Sequence, residues 1–140
     1  MSLTRRNALA LGSASFVVTL MPLNAFAAKD ETMAVINAFT NGAAVSDGGI
    51  NLTTPEIAEN GNTVPVQFSA PGAKRVMLLA DGNPTPGVGT FNFGKLSDAS
   101  GSTRIRLAGT QDVIAVAEMA DGSYVQVAKT VKVTIGGCGG

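Results

Sequence analysis

The chain has 140 residues, 10 Lys and Arg against 10 Asp and Glu, one cysteine and no histidine. The balanced charge excludes the basic face of a nucleic-acid binder. The missing histidine removes the commonest general base and transition-metal ligand, and a single thiol can neither close an internal disulfide nor build a thiolate metal cluster.

The first predicted element is a leader. MSLTRRNALALGSASFVVTLMPLNAFAA places Arg5 and Arg6 ahead of an uncharged apolar run from Ala8 to Leu20. Pro22 breaks the run, and Ala25-Phe26-Ala27 has the small-x-small form of a cleavage site. This predicts an export signal over residues 1–27, cut after Ala27, with Ala28 as the alternative. A membrane anchor is disfavoured, because it takes about 18 or more consecutive apolar residues and this run is shorter and interrupted by Ser and Thr. TRRNALA resembles a twin-arginine signal, with Ala8 and Ala10 where that pattern favours Phe and Lys; a general secretory signal is the alternative. Cleavage leaves 113 residues carrying eight basic and ten acidic side chains, a net charge of −2. That is enough chain for one domain with its own core, with no second apolar stretch to span a membrane.

Residues 30–41, DETMAVINAFTN, place Met33, Ile36 and Phe39, with Val35 beside them, near the helical period. Acidic residues open the segment and Gly42 follows it, which predicts a short helix covering an edge or face of a sheet. The pattern then changes to strand and turn. Ile50 and Leu52 alternate before Pro55 and an Asn60-Gly61 turn. TVPVQFSA puts Val64, Val66 and Phe68 on one face, and Pro65 predicts an edge strand. A strand follows from about Arg75 to Ala80, then a loop, then TFNFGKL with Phe91 and Phe93 on one side. STRIRLAG opposes Ile105 and Leu107 to Arg104 and Arg106. The last two strands are joined at Asp121-Gly122, a hairpin signal. In the final one Val125, Val127, Val131, Val133 and Ile135 share a parity that Lys129 interrupts, which predicts a bulge or a rim position there. Short strands with Gly, Asn and Pro punctuation predict an all-β domain over 28–135, an immunoglobulin-like antiparallel β-sandwich preceded by the short helix.

The tail, Gly136-Gly137-Cys138-Gly139-Gly140, begins where this alternation stops. Glycines on both sides predict a thin, flexible arm over 136–140. From Ile135 it extends the thiol of Cys138 by roughly 10 Å. Nothing near Cys138 in sequence activates it, and the C-terminal carboxylate at Gly140 disfavours the thiolate. A catalytic thiol needs a base in hydrogen-bond reach, so Cys138 reads as an attachment point on which other proteins act. Spacing alone leaves three readings open: a carrier arm, an intermolecular disulfide, and an incidental tail. The Asp and Glu residues are scattered over turns and polar faces, so no catalytic residue and no metal site is predicted.

KTVKVTIGGCGG resembles the end of SoxY, the sulfur-compound carrier family of the bacterial sulfur-oxidation (Sox) system. PEIAENGNTVPV, NPTPGVGTFNF and TRIRLAGTQDVIAVAEMADGSY are similar to that family too, as is the leader. The resemblance implies a periplasmic, non-catalytic subunit paired with a SoxZ-like sandwich protein. It implies Cys138 as the covalent attachment site for thiosulfate-derived intermediates and Gly136, Gly137, Gly139 and Gly140 as the arm. No cofactor is implied beyond the sulfur intermediate itself. The implied partners are a c-type haem enzyme that conjugates thiosulfate, a hydrolase that releases sulfate and, in some systems, a sulfur dehydrogenase. Two rivals remain. One is a carrier that, as ubiquitin-like proteins do, holds sulfur on its terminal Gly-Gly carboxylate, which the export signal and the unexplained cysteine oppose. The other is an exported structural sandwich that dimerises through Cys138.

Overall fold

The computed structural model describes the backbone of residues 23–134 and the side chains of residues 28–134. One helix, α1 (Leu23–Thr40), precedes the strands β1 (Val45–Asp47), β2 (Asn51–Thr53), β3 (Ile57–Ala58), β4 (Val64–Ser69), β5 (Ala73–Ala80), β6 (Gly87–Asn92), β7 (Ser100–Ile105), β8 (Gln111–Met119) and β9 (Tyr124–Val133). One sheet has the order β1-β9-β8-β5-β6, with β3 also on β9; the other is β2-β4-β7. They enclose a core that includes Leu52, Val64, Val66 and Phe68 from the smaller sheet and Val76, Leu78, Val113 and Ala115 from the larger. The result is the expected immunoglobulin-like sandwich.

β5 and β8 are covered on both faces. Val76 and Leu78 face the second sheet, while Met77, Leu79 and Val116 form a separate cluster with Ile36 of α1. Continuous apolar runs such as VMLLA and VIAVA are the sequence form of a strand buried on both sides. Each fully buried Leu or Val there contributes about 1.5–3 kcal/mol. The helix therefore covers a sheet face, as expected, but it begins at Leu23 and so runs through the predicted cut after Ala27. Its buried face is Thr32, Ile36 and Thr40; Met33 is 56% exposed and does not share it. The Thr32 hydroxyl, donated to the Ala28 carbonyl at 2.9 Å, lets a polar residue take the inward position. Asn41 (φ 53°) ends the helix in the left-handed region, with the Gly42 N–H donated to the Asn37 carbonyl at 3.0 Å. Near that end the Arg75 guanidinium lies 4.6 Å from the Phe39 ring centroid and is ion-paired to Glu118, its cross-strand neighbour.

Two strand expectations need correction, and a third is decided between its two alternatives. β4 is central in its sheet, not an edge. Pro65 is tolerated because β2 pairs only with Gln67, Phe68 and Ser69, so at Pro65 the strand has β7 alone beside it. The β8–β9 register runs through Val113↔Lys129 without a bulge. Lys129 is instead an exposed rim position, where β9 has no second neighbour between the residues paired to β1 and those paired to β3. Finally, β1 and β3 join β9 in parallel, a departure from an all-antiparallel arrangement. The predicted hairpin is present: Gly122 has φ 87°, and the Ser123 hydroxyl and N–H are donated to Asp121 Oδ1 at 2.6 and 2.9 Å. Those bonds, the hydroxyl's first, hold the exposed Asp121 carboxyl below its ordinary range.

Phe68 packs against Phe91 and Phe93, with ring centroids at 5.0 and 6.2 Å. Its cross-strand partner is Gly101, where an added Cβ would sit 2.7 Å from Phe68 Cζ. The glycine is there for space. Gly101→Ala is expected to destabilise the fold by about 1–3 kcal/mol, the cost of overpacking a filled core. A denaturant melt should show a lower midpoint with an unchanged slope; an unshifted midpoint would mean that the ring relaxes freely.

Candidate functional site at the base of the C-terminal arm

β9 ends at the pole of the sandwich where β4, β6 and β8 begin and β5 and β7 finish. Its last residues are held from both sides. The Lys132 N–H is donated to the Glu56 carbonyl at 2.9 Å and the Thr134 N–H to the Ala58 carbonyl at 3.1 Å. Between them, on the other side, the Val133 N–H is donated to Thr110 Oγ1 at 3.0 Å. Three successive amides thus have partners, and the strand is fixed as far as Thr134.

The clamp follows from short local signals. β2 ends at Thr53, and Pro55, which has no N–H to donate to a strand ladder, follows two residues later. The chain turns and resumes as β3, with Ala58 6% exposed inward and Ile57 58% exposed outward. Thr110 stands on the 106–110 loop, and a second network fixes that loop. Asn83 Oδ1 accepts the Ala108 N–H at 2.9 Å, and Asn83 Nδ2 is donated to the Arg106 carbonyl at 2.8 Å. Buried Gln111 donates Nε2 to Asn83 Oδ1 at 2.9 Å and to the Gly109 carbonyl at 3.1 Å, and accepts the Gly82 N–H at 2.8 Å. Leu107, fully buried, plugs the core beneath and donates its N–H to the Gly61 carbonyl at 2.8 Å. A half-buried amide network holds one geometry when every member is satisfied. Asn83 and Gln111 thereby position Thr110, and Thr110 positions the start of the arm.

Cys138, Gly136, Gly137, Gly139, Gly140, Arg5 and Arg6, the site and signal residues expected from sequence, all lie outside the described residues. What the structure supplies is the strand end that precedes the glycines and Cys138. Cys138 follows Thr134 by four residues, which limits the distance between their Cα atoms to about 14 Å. Sequence reasoning missed Thr110, Asn83, Gln111 and the β3 clamp. Only PEIA, one apolar residue in each parity beside a proline, hinted at the clamp. Among the described residues no group of three or more Cys, Asp or Glu stands close enough to hold a metal, and no helix is long and apolar enough to cross a membrane.

Comparison with known proteins fits this geometry. The family model described as sulfur oxidation protein SoxY matches residues 36–138 and so extends through the cysteine. The sulfur carrier protein SoxY from Chlorobium limicola f thiosulfatophilum superposes with a TM-score of 0.68 at 29% identity, covering 76% of this chain and 98% of that one. A superoxide reductase (neelaredoxin) from Ignicoccus hospitalis superposes at 0.54 with 15% identity, over 61% of this chain and 80% of its own. A putative superoxide reductase from Thermotoga maritima gives 0.53 and 13%, over 69% and 91%. At those identities the reductases share the fold alone. No curated protein sequence matches the chain. With a match that spans the sandwich and reaches the terminal thiol, the chain belongs to the SoxY family of sulfur carriers.

Proposed function

We propose that this chain carries thiosulfate-derived sulfur covalently on Cys138 Sγ, in the periplasm, and presents it to other Sox proteins. The observation that carries the reading is the family match, which ends on that cysteine. The clamped end of β9 supports it, because a carrier arm works best from a fixed base. The absence of histidine supports it too, since chemistry on the cargo then falls to partners.

In this scheme the Cys138 sulfur bonds to the outer sulfur of thiosulfate. The thiol proton leaves, and two electrons pass to a c-type haem enzyme. Water, added by a hydrolase, then removes the sulfonate group as sulfate and leaves a sulfane sulfur on the cysteine. In some systems a dehydrogenase oxidises that sulfur further. The Arg5-Arg6 leader supports twin-arginine export, and a SoxZ-like subunit is the proposed constant partner.

Intact-mass analysis after incubation with thiosulfate and the conjugating enzyme tests the reading. The expected result is an adduct of one sulfur and one sulfonate, mapped to Cys138 and removed by a thiol reductant. An adduct on the Gly140 carboxylate, or only a disulfide-linked dimer, would overturn it.

A further inference from the structure

We infer that Ile57 is the docking anchor for the enzyme that conjugates thiosulfate to Cys138, an inference that rests on the carrier reading above. The first argument is length. Cys138 lies at most about 14 Å from Thr134, and Thr134 is held in place. An enzyme that takes the sulfur into an active site below its surface must use part of that length for depth. Its rim is then pressed against the pole from which the arm leaves.

The second argument is what stands there. Ile57 pairs directly with Lys132, and paired strands run about 5 Å apart, so it lies well inside the required contact zone. Four large apolar side chains are exposed among the described residues: Met33, Ile57, Val88 and Leu96. Only Ile57 belongs to a strand paired with β9. A lone exposed isoleucine carries no meaning by itself; its place beside the arm does. The inward turn of Ala58 forces Ile57 outward, and the bonds from Lys132 and Thr134 to its neighbours' carbonyls hold its backbone still. An anchor ordered before binding loses little entropy on contact. Exposed Glu56 and Glu59 flank it in sequence. Lys132, paired directly with Ile57, is exposed as well, so the surroundings are of mixed charge, and the fitting partner is an enzyme with an apolar spot at its active-site mouth.

Ile57→Ser, assayed in complex with the partner subunit using thiosulfate and the conjugating haem enzyme, tests this. The expected result is a roughly tenfold lower kcat/KM through a raised KM, the scale of one partly buried aliphatic side chain. The unfolding midpoint and the rate of Cys138 with a small thiol reagent should not change. Ile57→Val should restore most of the activity, and Ile57→Thr, which keeps the β-branch, replaces the serine variant if that one is unstable. Unchanged kcat/KM alongside an inactive Cys138→Ser chain would overturn the inference and leave the carrier reading standing. Activity in both would overturn the carrier reading. Loss of the subunit complex in sedimentation would reassign Ile57 to the subunit interface and also overturn it.

Discussion

A Cys138→Ser chain, placed in an otherwise complete thiosulfate-oxidising system, is expected to support no thiosulfate-dependent electron transfer. The reason is chemical. A serine oxygen cannot form the sulfur–sulfur bond that conjugation requires, and its hydroxyl stays protonated where a thiol begins to ionise. The loss should be complete, because the chain holds no second cysteine to substitute. Stability should be untouched: the buried apolar side chains of the described sandwich run from Ile36 to Val131. Circular dichroism melts of the two proteins should therefore coincide while oxidation rates differ absolutely. Continued thiosulfate oxidation by the serine chain would remove Cys138 from the pathway. Loss of nothing but a covalent dimer would favour the structural sandwich.

The sandwich was legible where one face of a strand is buried and the other wet. Val64, Val66 and Phe68 alternate with Pro65 and Gln67, and the observed burial follows that alternation residue by residue. The Asp121-Gly122 hairpin was legible because a carboxylate that accepts the backbone N–H two residues on and a glycine at positive φ both have a local cause. Period-two reasoning found β5 and β8 as strands but gave them no inward face, since both parities are apolar when a helix covers the second face. Met33 was misplaced for a related reason: periodicity reports a stripe, and the far side of that stripe is set by the sheet it meets. The tail was read from composition alone, and its residues lie outside the described ones, so only its base can be compared. The clamp at that base was not legible. Thr110 and Val133 are 23 residues apart, and Asn83 reaches Arg106 across the same number. Bonds of that span leave no local periodicity to read.

Substituting both Gly136 and Gly137 by valine is expected to lower enzymatic turnover of the Cys138 adduct about a hundredfold, the scale on which small misplacements of a reacting group act. Two β-branched side chains thicken the segment that must enter the enzyme's mouth, and they restrict backbone angles that glycine leaves open. Stability is expected to change by no more than about 0.5 kcal/mol, the scale of surface substitutions, because both glycines follow the last alternating residue of the sequence. The rate of Cys138 with a small, freely diffusing thiol reagent should also hold, since such a reagent needs no channel. This pattern separates the arm from its base. Loss of the Ile57 contact weakens encounter and raises KM, whereas a thickened arm leaves the sulfur short of the reacting position and lowers kcat as well. Turnover unaltered by the paired valines would show that the enzymes accept a thick arm. The glycines would then have to be explained by reach alone, which Val133 and Thr134, held at the clamp, have already limited.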